Sequence, residues 1–156
     1  MLWAWCGFLG GTIPAATAAE PAAGQQRSEV VLVTQSGGRF TFAVEIADNA
    51  AEKRRGLMFR NKMESNQGML FLYRPATDVA IWMKNTLLPL DIIFIDASGR
   101  ISRIEADAVP LSETNLRSGG PVGAVLEING GMARYLGVSV GDRVVYAPRW
   151  PDADSP

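Results

Sequence analysis

An aspartate inside an apolar run is the first residue of this sequence with a capacity for chemistry. Asp91 follows Leu90 and precedes Ile92-Ile93-Phe94-Ile95. Alternation along a strand places its carboxylate on the same face as Ile93 and Ile95, and opposite Leu90. If both faces are buried, this carboxylate needs a partner, and the nearby donors are Lys84, Arg55 and Asn85. An ion pair or hydrogen-bond network that holds the loop is one interpretation, and a ligand site is the other.

A second acidic residue lies in a similar apolar setting. Glu127 stands within Val125-Leu126-Glu127-Ile128. Together with Asp91 it can in principle form an acid and base pair for hydrolysis. The separation of the two groups, which would decide this, does not follow from the sequence.

Two absences remove whole classes of site. The chain has no histidine, which excludes serine–histidine hydrolysis, imidazole zinc sites and a histidine pH switch. Its single cysteine, Cys6, lies in a segment predicted below to be removed, so the mature chain is predicted to lack a thiol. The sequence predicts no catalytic residue, no metal site and no cofactor.

An aromatic side chain beside a cation and an amide indicates a binding surface. Trp82 precedes Lys84 and Asn85, and this combination can hold a sugar or a small anion. The alternative is a tryptophan that belongs to the core. The candidate ligand-binding residues are Trp82, Lys84, Asn85, Asp91, Arg55 and Glu127.

Three methionines beside aromatic residues allow another hypothesis. Met58, Met69 and Met83 carry thioethers, which are soft ligands that suit copper(I) in an exported protein. Methionine also fills gaps in cores, and no Met-x-Met repeat is present. Core packing is therefore the competing interpretation.

Short strands must position these residues. Phe40, Phe42, Val44 and Ile46 alternate with more polar neighbours, which is the period of a half-buried strand paired with 30–33 in a hairpin. Further strands are predicted at the following segments: 68–73, 79–83, 90–95, 101–106, 122–128 and 138–146. Two short helices are predicted, over 50–55 after the capping pair Asn49 and Glu52, and over 132–136. Seven or eight short strands predict a mainly β domain, a compact antiparallel barrel or sandwich.

The first nineteen residues differ from the rest of the chain. All charged side chains lie at or after Glu20, and an apolar stretch up to Ile13 is followed by Pro14 and small residues. This pattern predicts a signal peptide over 1–19 with cleavage near Ala18 or Ala19, and a periplasmic or secreted protein with no integral membrane span after cleavage. A flexible leader is predicted over 20–28, one β-rich domain over 29–147, and a tail over 148–156.

The charges indicate no polyanionic partner. Fifteen basic and sixteen acidic residues are interspersed, for a net charge of −1. The basic run Lys53-Arg54-Arg55 is interpreted as a solvated helix face. No nucleic-acid partner is therefore predicted.

Several motifs together resemble one protein family. They are Arg55-Gly56-Leu57-Met58-Phe59-Arg60, Gly68-Met69-Leu70-Phe71, Trp82-Met83-Lys84-Asn85-Thr86, Pro89-Leu90-Asp91, Val125-Leu126-Glu127-Ile128-Asn129 and Gly141-Asp142-Arg143-Val144. In this order they resemble the successive motifs of the domain of unknown function 192 family, over almost all of 30–146. The resemblance implies a compact β-barrel-like fold and no particular activity.

These observations predict a small exported binding or accessory module of the cell envelope. Its partner is expected to be a small molecule, a glycan or a protein, bound near the segment from Trp82 to Asp91. Two alternatives remain, a carboxylate-dependent hydrolase of envelope material that uses Asp91 and Glu127, and a methionine-based soft-metal binding protein.

Overall fold

The computed structural model describes residues 26–148 and residue 150. The predicted signal peptide, its cleavage point and Cys6 lie outside these residues, as does most of the predicted leader. In chain order, the elements are β1 (Arg27–Val33), β2 (Arg39–Ala47), α1 (Ala50–Arg55), β3 (Gln67–Ile81), β4 (Leu90–Ile95), β5 (Ile101–Ala108), β6 (Leu116–Asn129), α2 (Met132–Leu136) and β7 (Arg143–Val145). The described helices are all too short and too polar to cross a membrane.

The seven strands form one curled sheet in the order β5-β4-β6-β3-β2-β1-β7. Neighbouring strands are antiparallel, with the exception of the parallel pair β2 and β3. At one end the two outer strands approach each other, because Arg100 bridges to Arg143 and the N–H of Ile101 donates to the carbonyl oxygen of Asp142 at 2.8 Å. The predicted mainly β, barrel-like fold with two short helices is thereby confirmed.

The inner face of the curl holds the larger hydrophobic core. The alternation along β2 places Phe42, Val44 and Ile46 in this core, as the period of two predicts. Leu126 and Ile128 of β6 join them from across the sheet. These side chains are almost completely buried, so they provide most of the apolar area that stabilises the fold.

The middle of the sheet is buried on its outer face as well. All six residues of β4 are buried, with Leu90, Ile92 and Phe94 in a second apolar cluster on the outer side. Leu57 and Met83 contribute to the same cluster from two connecting segments, 48–66 and 82–89. These connections therefore cover the sheet and are the elements that can enclose a site above it.

The parallel pairing of β2 and β3 explains the first of these connections. A parallel pair needs a crossover that carries the chain back along the sheet, and 48–66 performs this with α1 inside it. The helix begins as predicted, since the Asn49 side chain accepts hydrogen bonds from the N–H groups of Ala51 at 3.1 Å and Glu52 at 3.0 Å. The Glu52 carboxylate in turn accepts the N–H of Asp48 at 3.2 Å.

Three boundaries differ from the sequence prediction. The strands predicted on either side of Arg74-Pro75 are one strand, β3, whose register against β6 shifts between Leu72 and Thr77, so Pro75 occupies an irregularity of the ladder. Strand β6 begins at Leu116 and β7 spans three residues. The chain packs on the domain as far as Trp150, inside the predicted tail, where the indole Nε1 donates to the Ala97 carbonyl oxygen at 2.9 Å.

Candidate functional site

Asp91 is fully buried, and its carboxylate accepts three backbone hydrogen bonds. Its Oδ1 accepts the N–H of Asp107 at 2.9 Å and that of Gly131 at 3.0 Å, and its Oδ2 accepts the N–H of Ala133 at 2.7 Å. Two of these donors belong to the first turn of α2 and the glycine before it. The carboxylate therefore takes the place of an N-cap side chain and attaches α2 to β4.

The donors that the sequence suggested for Asp91 are not the ones it uses. The ammonium group of Lys84 lies 3.6 Å from the Glu113 carboxylate instead, and the Asn85 side chain donates to the Met58 sulfur at 3.9 Å. Sequence proximity is a poor guide here, because the donors are backbone groups: one belongs to Asp107 of β5, and the other two lie at the start of α2, about forty residues away along the chain. Asp91 thus has a structural role on the inner face, where its carboxylate holds α2 against β4.

Glu127 presents the opposite situation. In the sheet it lies between Met69 of β3 and Ile92 of β4, so its side chain points to the outer face. Only 5% of the residue is exposed, yet no residue that the structure describes donates a hydrogen bond to its carboxyl group. Burial raises the pKa of Glu127 to about 8, and the group is therefore protonated at neutral pH.

The two acidic residues face opposite sides of the sheet. Asp91 is paired in register with Ile128, whose side chain belongs to the inner core, whereas Glu127 is paired with Ile92 of the outer cluster. A sheet of backbone separates the carboxyl groups, so they do not share a cleft. The acid and base pair considered from the sequence is not formed in this structure.

A cavity of about 520 Å³ lies above Glu127 on the outer face. Its walls come from α1 and the residues after it, from the outer side of β3, and from the segment that follows β3. Five of the six candidate ligand-binding residues line it, and Asp91 is the exception. The five are Arg55, Trp82, Lys84, Asn85 and Glu127.

Four cationic side chains line this cavity: Lys53, Arg54, Arg55 and Lys84. The ammonium of Lys53 lies 4.6 Å from the centre of the Tyr73 ring, and that of Lys84 lies 5.3 Å from the centre of the Trp82 ring. Each ammonium group thus lies over an aromatic face, where the negative face of the ring attracts the cation. The sequence interpretation of 53–55 as a solvated face missed this placement.

Aromatic residues supply the apolar part of the cavity lining. Phe71 and Tyr73 project from the outer face of β3, and Trp82 follows the end of that strand with 46% of its surface exposed. Burial, and secondarily the proximity of Glu127, raise the pKa of Tyr73 to about 12, so its hydroxyl stays neutral. A flat ligand can therefore contact ring surfaces while its polar groups meet the cations and the buried carboxyl.

Two loops that contribute to the cavity lining, through Met58 and Asn85, are hydrogen-bonded to each other. The N–H of Phe59 donates to the carbonyl oxygen of Asn85 at 2.8 Å, and the Asn85 amide donates to the Met58 sulfur. Phe59 and Asn85 both have positive φ, at 64° and 55°. Such conformations are uncommon outside glycine and are retained where the surrounding structure demands them.

Comparison with known proteins identifies the family. The family model DUF192, described as "Uncharacterized ACR", matches residues 31–146, which is most of the chain. The chain belongs to the DUF192 family. The resemblance inferred from the motifs is therefore confirmed, and the matched residues include every wall of the cavity.

Two solved structures are similar to this DUF192 domain. One is a candidate transcription regulator from Sinorhizobium meliloti 1021, with 42% identity, a TM-score of 0.78, and coverage of 80% of this chain and 97% of the other. Another is a protein of unknown function from Novosphingobium aromaticivorans DSM 12444, with 45% identity, a TM-score of 0.78, and coverage of 88% and 100%. A comparison with curated proteins gives no match to this sequence.

The methionines of this DUF192 domain mainly pack. Met69 and Met83 are buried in the outer apolar cluster, each with 1% of its surface exposed. Met58 lines the cavity and accepts the hydrogen bond from Asn85. The structure therefore places these thioethers in contact with apolar side chains and an amide, which matches the packing interpretation.

Proposed function

We propose that this DUF192 domain is a binding module for a small organic anion, which occupies the cavity on the outer face of the sheet. One observation carries the proposal. A single cavity gathers four cationic side chains, aromatic surface and one carboxyl group that is neutral at pH 7. A volume of about 520 Å³ fits a metabolite-sized molecule, since pockets of this kind span roughly 300 to 1,000 Å³.

The charge balance of the lining favours an anion. Glu127 is the one acidic residue among the lining residues, and its raised pKa removes its negative charge at neutral pH. The cations that line the same cavity then create a positive potential inside a partly enclosed space, which attracts and retains an anionic group. The aromatic rings favour a ligand with a ring or another apolar body.

A binding role accounts for this geometry better than hydrolysis. A hydrolase of the type considered above needs a second carboxylate within reach of the reacting bond. Asp91 lies on the other face of the sheet and is occupied by three backbone donors. We therefore favour recognition without chemistry, in the periplasm or outside the cell, because the first nineteen residues have the character of an export signal.

Titration calorimetry with organic anions tests the proposal. The probes are benzoate, phenyl phosphate and glucuronate, each added to the domain at pH 6.5. We expect at least one to bind with a millimolar or tighter Kd, and we expect Lys84→Gln to weaken that binding about tenfold, equivalent to about 1.4 kcal/mol. Absence of binding by all three at 10 mM would contradict the proposal.

Lys62→Gln is the matched control. Lys62 is an exposed lysine of the same crossover as α1, and it does not line the cavity. It changes the net charge by the same amount as Lys84→Gln. Equal weakening by the two substitutions would mean that overall charge, and not the cavity, attracts the anion.

A further inference from the structure

We infer that Glu127 is the specificity-determining residue of the cavity and donates its carboxyl hydrogen to a neutral oxygen of the ligand. The ligand is then an organic anion that also carries a carbonyl, ether or hydroxyl oxygen, set apart from its anionic group. This inference rests on the proposed function and names the class of molecule that the cavity takes.

The burial of Glu127 without a donor is the first observation. A polar group at 5% exposure is ordinarily hydrogen-bonded within the protein, and Asp91 in the same sheet shows the usual solution with three backbone donors. No described residue provides the same for Glu127, whose neighbours across the strands are Met69 and Ile92. Its carboxyl group lines the cavity, so a molecule in the cavity is available as its partner.

Glu45 is another acidic residue on the outer face of the sheet, and unlike Glu127 it has a cationic partner. Glu45 lies two strands away, on the far side of Met69, and the guanidinium of Arg60 binds both of its carboxylate oxygens. The crossover that supplies Arg60 to Glu45 supplies α1 to the cavity. Arg60 thus pairs with Glu45, and the carboxyl group of Glu127 keeps its hydrogen-bonding capacity for a ligand.

The protonation state decides the role. With a pKa raised to about 8 by burial, Glu127 carries its proton at pH 7 and offers one O–H donor. The cations of the lining can bind the anionic group of the ligand. The neutral carboxyl of Glu127 therefore recognises a second group of the ligand, a neutral oxygen at a different position. The titratable and charged groups that line the cavity around Glu127 are Lys53, Arg54 and Arg55 of α1, Tyr73 of β3, and Lys84.

Burial raises the pKa of Tyr73, another titratable group of the lining, to about 12, so its hydroxyl stays neutral between pH 6.5 and 9. The pKa of Glu127 lies inside this range. Ionisation at its pKa of about 8 removes the donor and adds a negative charge beside the ligand.

A pair of matched probes tests the inference. In 4-acetylbenzoate a ketone oxygen stands opposite the carboxylate, and 4-isopropenylbenzoate has nearly the same planar shape without a hydrogen-bond acceptor at that position. We expect the domain at pH 6.5 to bind 4-acetylbenzoate at least about tenfold more tightly, because an unmatched buried donor is costly. Between pH 6.5 and 9 its Kd should rise about tenfold, as the protonated fraction falls.

Two variants separate donation from mere packing. Glu127→Gln keeps an N–H donor that does not titrate, so it should retain the preference for 4-acetylbenzoate and lose the pH dependence. Glu127→Met has similar volume and no donor, and it should bind the two probes equally. Since both replacements suit a buried position, loss of folding is not expected to obscure the result.

The outcomes distinguish this inference from the proposed function. Equal binding of the two probes by the unmodified domain, or a preference that survives in Glu127→Met, would overturn the donor role and leave the anion site standing. Failure of both probes to bind at 10 mM would overturn the donor role, and the anion site is contradicted as well only if benzoate, phenyl phosphate and glucuronate also fail to bind.

Discussion

Phe59 donates its backbone N–H to the carbonyl oxygen of Asn85 at 2.8 Å, and both residues have left-handed backbone conformations. This hydrogen bond joins the loop after α1 to the loop after β3, and these two loops contribute Met58 and Asn85 to the cavity lining. Asparagine adopts positive φ with modest strain, whereas most other residues do not. The conformation of Asn85 is therefore a condition for the cavity in its present shape.

Substitutions at Asn85 should separate backbone from side-chain effects. Asn85→Gly should keep the free energy of unfolding within about 0.5 kcal/mol, because glycine accepts positive φ freely. Asn85→Val should reduce it by about 1 to 2 kcal/mol, because a β-branched residue is strained there. Urea unfolding of both variants measures the difference, and equal stabilities would show that the loop adapts to either residue.

Asp91 should be essential for stability. Asp91→Ala leaves three N–H groups without their acceptor, the one of Ala133 buried and those of Asp107 and Gly131 partly buried, and we expect the free energy of unfolding to fall by about 3 to 5 kcal/mol. Asp91→Asn keeps one acceptor oxygen and should cost less. Thermal melts followed by circular dichroism compare the variants.

Lys84→Ala is the contrasting variant for the same melts. The Lys84 side chain is 42% exposed, and its ion pair with Glu113 lies at the surface, where such pairs contribute about 0 to 1 kcal/mol. We expect an almost unchanged melting temperature. A stable Asp91→Ala beside a strongly destabilised Lys84→Ala would reverse the roles that we assign to these residues.

Glu127 should make stability depend on pH. Its pKa rises from 4.5 in the unfolded chain to about 8 in the fold, so the folded state holds a proton that the unfolded state has released between these values. The free energy of unfolding should therefore decline from pH 4.5 to pH 8, by on the order of 5 kcal/mol, and then level off. Below pH 4.5 this group has no such effect.

Glu127→Gln provides the measurement, because it removes this one titration and leaves the others. Denaturant unfolding at several pH values gives the stability of each protein. The advantage of Glu127→Gln over the unmodified domain should grow from pH 5 to pH 8 and remain constant above that. A difference that does not vary with pH would mean that Glu127 titrates normally.

Trp150 should belong to the folded domain and not to a tail. Its ring packs in the inner core and lies so close to Gly99 that a side-chain carbon there would meet the ring at 2.9 Å. Trp150→Ala should cost about 3 to 5 kcal/mol, as for other large buried residues. Trp150→Phe keeps most of the packing and loses the bond to Ala97, so it should cost much less. Equal melting temperatures for the three proteins would contradict this.

Export with cleavage near Ala18 or Ala19 also remains to be tested. Mass spectrometry of the protein from its native cell should show a chain that starts at Ala19 or Glu20, because the preceding segment is uncharged and ends in small residues. Recovery of a cytoplasmic species that still contains Met1 would contradict export. The binding experiments above do not depend on this result.

Local patterns in the sequence predicted much of the sheet. The alternation from Phe40 to Ile46 identified β2 and its buried face, and the same reasoning placed Asp91 on the face of Ile93 and Ile95. The strand break expected at Pro75 was wrong, because a register shift in the ladder accommodates the missing N–H there. The hydrophobic periodicity of a sequence indicates which face of a strand is buried. It does not indicate where the hydrogen-bond ladder between two strands can accommodate an irregularity.

The site depended on contacts that local patterns do not contain. The residues Trp82, Lys84 and Asn85 were recognisable from their chemistry, but their proximity to Arg55 and Glu127 follows from the crossover between parallel strands. The partners of Asp91 are backbone N–H groups, which almost every residue carries. They therefore cannot be identified from residue types in the sequence. The same limit applies to Glu127, whose special feature is a partner that the described chain does not supply.

The crossover between β2 and β3 supplies residues to the cavity, whereas other parts of the domain stabilise the sheet. The ladder hydrogen bonds and inner core hold the sheet together, whereas the segment 48–66 contributes Lys53, Arg54 and Arg55 to the cavity from α1, which has no buried residue. Substitutions that change the charge of α1 should therefore alter the electrostatics of the cavity at little cost to folding, whereas changes near Leu57 or Arg60 should not be neutral, because those residues pack on the sheet or pair with Glu45. One exposed turn of helix can thus be varied while the sheet that carries it stays the same.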